Sequence, residues 1–216
     1  MAKKLIILGA GGFAREVAWL AKEINLSDHT WEIAGFLEQN DEKAGTFING
    51  IPVLHQQQAM SLNKIAYVVC GIGHPEVKKK AIMHADSQGL TRYATLIHPN
   101  VRFDTNSVEI GAGCVICSGN ILTVNIILGV HVTINLDCTI GHDCIIGDYA
   151  TLSPGCHLSG YTTVQSGAYL GTGACTIERR MIGAWSTVGA GAVVIKNIPE
   201  GATAVGIPAV PITKKG

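Results

Sequence analysis

Apolar and polar positions follow two different rhythms along the chain, and the change falls near residue 98. Up to about Leu90, short apolar runs alternate with segments of helical spacing. Lys4-Leu5-Ile6-Ile7-Leu8 reads as a buried strand, and Gly9-Ala10-Gly11-Gly12 as a tight turn. Val17, Leu20, Ala21 and Ile24 recur at helical intervals, which predicts a helix over Phe13–Ile24. Strands are predicted over Trp31–Leu37, Ile51–Leu54, Ile65–Cys70 and Tyr93–Ile97, and helices over Gln56–Leu62 and Pro75–Ser87. Strands alternating with helices predict a parallel, Rossmann-like α/β domain.

Beyond His98-Pro99 the helical spacing stops and a six-residue period takes over. Steps of six from Ile110 land on Ile116, Leu122, Leu128, Ile134, Ile140, Ile146, Leu152, Leu158, Val164, Leu170, Thr176, Ile182, Val188 and Val194. Fourteen of these fifteen positions are aliphatic, where chance would place about five. The next residue is often glycine (Gly111, Gly129, Gly141, Gly147, Gly171, Gly183, Gly189), which is expected to accommodate turn dihedrals. Four residues after the aliphatic one the side chain is usually small, as at Cys114, Cys138, Cys144, Ala150, Cys156, Thr162, Ala168, Ala174, Ser186 and Ala192. A short strand plus a turn uses six residues, and three such units close a triangular coil. Stacked coils bury the aliphatic and small positions in one continuous core. Fifteen hexads predict about five coils. The expected domains are therefore residues 1–97 and 98–216.

Composition narrows the function. Lys+Arg and Asp+Glu both number 16, so the net charge is zero, which argues against a binder that relies on neutralising nucleic-acid phosphates. The N-terminal apolar run is too short for a signal segment, and no stretch is long enough to span a bilayer, which predicts a soluble cytoplasmic protein without membrane insertion. Seven cysteines are an odd number without a secretory signal, so no disulfide framework is expected. Four of them take the small inward position and act as small hydrophobes. Cys114 and Cys117 have metal-ligand spacing but different phases in the hexad, so no metal site is expected.

Gly9-x-Gly11-x-x-Ala14 follows a strand and opens a helix, an arrangement in which Gly9, Gly11 and Gly12 let phosphates approach backbone N–H groups. Glu38, at the end of the second strand, is placed to bind a ribose hydroxyl. Gly71 and Gly73 close a later strand where the chain could pass beneath a base. Read without a ligand, the first glycines simply make a tight turn. In the repeat, His142 lies two residues after inward Ile140, so its side chain leaves the prism. An imidazole titrates near pH ~6.5, suited to proton removal at neutral pH, and Asp143 beside it could orient the ring. An exposed turn histidine is the alternative reading. His157, near the next coil, is a candidate substrate contact. His131 is expected at the surface, and His98 in a structural role.

Four segments carry a resemblance that spans Leu5 to about Ile212: Ile7-Leu8-Gly9-Ala10-Gly11-Gly12-Phe13-Ala14-Arg15-Glu16, Ile97-His98-Pro99, Ile140-Gly141-His142-Asp143-Cys144-Ile145-Ile146-Gly147-Asp148 and Val205-Gly206-Ile207-Pro208-Ala209. With the hexads, they resemble the left-handed β-helix acyltransferases that bear an N-terminal Rossmann-like domain, the bacillosamine, perosamine and sialic-acid acetyltransferase group. The resemblance implies a homotrimer with active sites between subunits, a nucleotide-sugar on the N-terminal domain, and acetyl-CoA along the β-helix. It implies His142 with Asp143 as the catalytic pair and the Gly160 N–H as oxyanion donor. Thr172 and Ala190 would contact the pantetheine arm, and Gly206 and Pro208, in the terminal segment, would line the CoA cleft. Relatives often carry a basic residue after the last segment; Val210 stands there, leaving Lys196 or Lys214 for a phosphate. The expected reaction is N-acetylation of a nucleotide-linked amino sugar, a UDP-4-amino-4,6-dideoxy sugar. O-acetylation of sialic acid or another hydroxyl is the alternative, and a non-catalytic scaffold is the alternative from another class. An NAD-dependent oxidoreductase fails on space, since about 95 residues precede the repeat and no second nucleotide-binding half follows.

Overall fold

The computed structural model describes residues 2–212. The chain divides into two units, Met1–Pro99 and Asn100–Gly216. The first contains β1 (Lys3–Leu8), α1 (Gly12–Ser27), β2 (Trp31–Leu37), β3 (Phe47–Ile48), β4 (Ile51–Pro52), α2 (Gln56–Ser61), β5 (Tyr67–Cys70), α3 (Pro75–Ser87) and β6 (Leu96–Ile97). Its central sheet has the order β2-β1-β5 and is parallel throughout. Leu5, Ile6 and Ile7 are fully buried, as expected of a central parallel strand covered on both faces. Ala14, Val17 and Ala21 of α1 and Ala81, Ile82 and Ala85 of α3 complete this core. Pro75 occupies the first turn of α3, where its missing N–H costs nothing.

Two details depart from expectation. The strand expected over Tyr93–Ile97 is reduced to a bridge from Tyr93 to Val68 and the two residues of β6. A small antiparallel hairpin, β3–β4, turns through Asn49 and Gly50, both at positive φ. Asn-Gly between short apolar pairs is a hairpin signal that the strand pattern alone passes over.

The second unit is a parallel β-helix with three faces. Face one stacks Arg102–Phe103, Ile121–Leu122, Thr139–Ile140, His157–Leu158, Cys175–Thr176 and Val193–Val194. Face two stacks Val108–Ile110, Ile126–Leu128, Ile145–Ile146, Thr163–Val164 and Met181–Ile182. Face three runs from Val115–Ile116 through Thr133–Ile134, Thr151–Leu152, Tyr169–Leu170 and Thr187–Val188 to Thr203–Val205, with Val210–Ile212 added antiparallel. Six strands on face one make about six turns, one more than fifteen hexads predict, because Arg102–Phe103 and Thr203–Val205 extend the stack beyond the regular series. Within the regular coils partners are eighteen residues apart, as Thr139 with His157 and Ile140 with Leu158, while the ends of the stack depart from this, with Arg102 opposite Ile121 and Thr187 opposite Thr203.

The ten small inward residues named above are all buried. Thr176, the one break in the aliphatic series, is also buried, and its hydroxyl meets that of Thr162 at 2.9 Å and accepts from the Ser159 N–H at 3.2 Å. Asn120, inside the prism where a small residue was expected, is fully buried. Its amide donates to the carbonyl of Cys117 at 2.7 Å and accepts from the Cys138 N–H at 2.8 Å.

The glycines after the aliphatic position serve a different purpose from the one expected. None of them has positive φ. They are required because the next coil approaches too closely for a side chain: a Cβ on Gly141 would stand 2.7 Å from the Gly160 nitrogen, and one on Gly171 2.6 Å from the Ala190 nitrogen. The left-handed corner lies two residues later. It is held by glycines such as Gly155 and Gly173, but also by Asn125, Asp137, Asp143, Tyr161 and Arg179. His131, expected at the surface, is buried and stacks on Tyr149 at 5.5 Å, because the corner at Gly113 has no side chain and the imidazole fills its place. His98 lies 3.9 Å from Glu23 of α1. Among the described residues no helix is long and apolar enough to cross a membrane.

Asn120→Ala removes partners from backbone groups that have no access to water. An unsatisfied buried group costs about 1–3 kcal/mol, so chemical denaturation at fixed protein concentration is expected to show a loss of at least ~2 kcal/mol.

Candidate functional site

His142 and Asp143 occupy the corner between faces one and two, where the chain leaves Thr139–Ile140 and turns toward Ile145–Ile146. Asp143 takes the left-handed conformation, with φ 58°, which its short polar side chain tolerates. His142 Nδ1 lies 2.7 Å from Asp143 Oδ2. Asn125, one coil earlier, donates to the other carboxylate oxygen at 3.3 Å. The hydrogen bond from His142 holds the Asp143 carboxyl below its ordinary pKa; Asn125, the charge of His142 and Tyr161 add to this, and partial desolvation opposes it. An imidazole whose Nδ1–H faces a carboxylate presents the lone pair of Nε2 as its proton acceptor.

One coil later on the same edge stand Gly160 and Tyr161. A Cβ on Gly160 would come within 2.6 Å of both Cε1 and Nε2 of His142. The absence of a side chain at 160 is what leaves room for the imidazole. Tyr161 meets the His142 ring edge-on, with centroids 5.2 Å apart and planes at 89°. Arg179, another coil on, lies over the Tyr161 ring at 4.3 Å. Lys196 is exposed further along this edge; Lys214 lies outside the described residues.

The other expected residues fall elsewhere. Thr172 and Ala190 are exposed on the corner between faces three and one. Gly206 and Pro208 join them at the end of the prism, where Val205 packs over Gly189 and Ala209 N–H donates to the Val193 carbonyl at 2.8 Å. Within one chain, face one separates this edge from that of His142. His157 lies on face one itself, exposed, with Nδ1 2.9 Å from the Thr139 hydroxyl.

In the N-terminal unit a cavity of about 220 Å³ opens at the ends of β1 and β2. Gly9 and Glu38 line it, with Gln39, Asn40 and Gln56. Glu38 Oε1 accepts from Lys43 at 3.1 Å, and its backbone carbonyl accepts from the Gln56 amide. Gly11 caps α1, and Gly11 and Gly12 are exposed. No side chain among the described residues caps this helix, so its first N–H groups remain available to an anion. Gly71 does not line the cavity; a Cβ there would meet Ala14 Cα at 2.6 Å, so its role is the close packing of α1. Ile72 takes the lining position instead, while Gly73 has open space where a Cβ would stand. His84 of α3 also lines the cavity, and its buried Nε2 has no hydrogen-bond partner among the described residues. A lone histidine in a helical pattern carries no sequence signal for that position. Tyr161 and Arg179 could have been found by adding eighteen and thirty-six to Asp143.

A β-helix built from hexads, with a histidine–carboxylate pair on an outer edge, matches the arrangement expected from the resemblance to hexapeptide-repeat acyltransferases. Residues 4–85 match the family model for the PglD N-terminal domain. The GDP-perosamine N-acetyltransferase of Escherichia coli O157:H7 is 31% identical over 172 residues, which span 78% of this chain and 75% of that protein. Among solved structures, the acetyltransferase domain of PglB from Neisseria gonorrhoeae FA1090 in complex with acetyl coenzyme A is similar at a TM-score of 0.85 and 30% identity, over 98% of this chain and 100% of that one. PerB from Caulobacter crescentus in complex with CoA and GDP-perosamine is similar at a TM-score of 0.86 and 27% identity, over 97% of each. The chain belongs to the family of sugar N-acetyltransferases.

Asp143 is depressed, so the stabilisation it contributes is present above the ordinary carboxylate pKa of ~3.9 and is lost as pH falls through the depressed value. In His142→Ala the Asp143 pKa is expected to rise toward ~3.9, read by carboxyl ¹³C NMR titration.

Proposed function

We propose that this protein transfers the acetyl group of acetyl-CoA to the amine of a nucleotide-linked amino sugar, with His142 as general base. The reading takes the acceptor as a UDP-4-amino-4,6-dideoxy sugar of the bacillosamine type, made in the cytoplasm for a surface glycan or glycoprotein. The observation that carries it is the His142–Asp143 pair at 2.7 Å beside the side-chain-free Gly160. His142 Nε2 takes a proton from the acceptor nitrogen as that nitrogen bonds to the thioester carbon. The Gly160 N–H steadies the oxyanion that forms. Collapse breaks the carbon–sulfur bond, and the imidazolium returns the proton to the departing thiolate. Asp143 stabilises the imidazolium between these steps. The nucleotide is read as bound in the N-terminal unit, with its diphosphate on the glycine turn of α1 and its ribose at Glu38.

The assembly in this reading is a homotrimer. Two observations support it. The residues read as binding CoA, Thr172, Ala190, Gly206 and Pro208, lie on a different edge from His142, so a cleft holding both sets draws on two copies of the chain. The edge bearing His142 is also flanked by exposed apolar side chains: Ile121, Val124, Ile127, Ile145, Ile177 and Met181. Apolar groups clustered on one edge are of the kind that association covers, and a repeated heterologous contact closes into a ring.

Thiol release from acetyl-CoA, measured with UDP-, dTDP- and GDP-linked 4-amino sugars and with sialic acid, tests the reaction. Release is expected with a UDP-linked amino sugar and is expected to fall at least ~100-fold in His142→Ala. Release with sialic acid alone would move the acceptor to a hydroxyl, and undiminished release in the variant would remove His142 as base. Ile145→Glu places a charge among the apolar side chains. Light scattering is expected to show a mass three times the 22.7 kDa chain for the wild type and a lower mass for this variant; a monomeric wild type would sink the trimer.

A further inference from the structure

The histidine–carboxylate pair does not by itself hold the imidazole in one orientation. The bond from Nδ1 to Asp143 fixes one atom, and the ring can swing about it, because the final torsion of a histidine side chain is broad. Gly160 supplies no side-chain wall on its side of the ring. The wall that is present is Tyr161, edge-on to His142 at 5.2 Å. Tyr161 is held in turn by the Arg179 guanidinium at 4.3 Å. These residues stand on three consecutive coils, spaced about 4.8 Å apart along the ladder.

Tyr161 and Arg179 both sit in the left-handed region, at φ 57° and 60°, where glycine is the residue of least strain. Other edges also hold non-glycine residues at this corner position, among them Asp137, His131, Tyr149 and Trp185. What singles out Tyr161 and Arg179 is contact: the tyrosine ring stands against His142 and the guanidinium lies over that ring. The core gains nothing from them, since both side chains project outward.

We propose that Tyr161 is a positioning residue that orients the His142 ring for proton transfer, and that Arg179 locks Tyr161 in place. This rests on the reading of His142 as the base. The imidazole is then fixed at two points, by Asp143 through Nδ1 and by the aromatic ring through its edge.

The test is a double-mutant cycle on kcat, with KM for both substrates measured alongside. Tyr161→Leu is expected to lower kcat about tenfold while the KM for acetyl-CoA stays within twofold, and Tyr161→Phe, which keeps the ring, restores most of the loss. Arg179→Met, on an exposed side chain, is expected to lower kcat about threefold without touching the ring. In a His142→Ala background, Tyr161→Leu is expected to cause no further loss, since non-additivity marks residues that act through one another. Equal losses on both backgrounds would overturn the proposal, as would an unchanged kcat in Tyr161→Leu. If Tyr161→Leu fails to fold, Arg179→Met takes its place in the cycle, and equal losses on both backgrounds or an unchanged kcat overturn the proposal there too. If His142→Ala alone leaves kcat intact, the base falls and the positioning role falls with it; a large loss there combined with additive losses at Tyr161 sinks the positioning role alone.

Discussion

The eighteen-residue register of the parallel ladders is the constraint on which the rest of the β-helix depends. Thr139 N–H donates to the Cys156 carbonyl at 3.0 Å, and Gly141 N–H donates to that of Leu158 at 2.8 Å, and the same spacing recurs on each face. A slip of one residue would turn every inward aliphatic side chain outward. With the register held, residue n meets residue n+18 throughout the regular coils. Ile140 stacks on Leu158 inside the prism, and outside it Asn125 meets Asp143, His142 meets Gly160, and Tyr161 meets Arg179. The core and the candidate site are thus products of the same alignment, although the core chooses its residues by volume and the site by chemistry.

Corners are where these two demands separate. The glycine after the aliphatic residue exists because backbone crosses backbone at under 3 Å from any Cβ, as Gly141 does below Gly160. Two positions on, the chain enters the left-handed region, and there the side chain is free of the core. Glycine is the residue of least strain in that place. Non-glycine residues replace it on more than one edge: Asn125, Asp143, Tyr161 and Arg179 beside His142, and His131, Tyr149 and Trp185 between faces two and three. What distinguishes the first of these edges is the histidine bonded to a carboxylate at 2.7 Å, not the backbone.

The fold was legible because a period of six repeated fifteen times leaves few architectures that bury every aliphatic residue. The N-terminal half was legible from a different signal, apolar runs alternating with helical spacing, and Trp31–Leu37 and Pro75–Ser87 emerge with the predicted bounds. What stayed hidden was whatever depends on which edge a residue occupies. Thr172 and His142 differ by thirty residues, one full coil plus two faces, which puts them on different corners; the hexad pattern treats all corners alike. His131 was misplaced because its burial depends on Gly113, eighteen residues away. His84 was invisible because the cavity it lines is assembled from four separate segments of chain.

In the proposed reading, acyl transfer at this edge faces a physical difficulty that one chain does not resolve. The His142 and Asp143 side chains keep 48% and 32% of their surface exposed, so water screens the pair and weakens its hold on a developing imidazolium. Water also competes for the thioester and for the oxyanion donor. The apolar side chains beside the pair, Ile145 and Ile177 among them, cannot exclude water while they are exposed themselves. In the proposed trimer their surface would leave the water, and the same event would dry the His142–Asp143 pair and strengthen the charge interaction within it. In that reading, assembly rather than the fold of a single chain is what would make the exposed histidine an effective base.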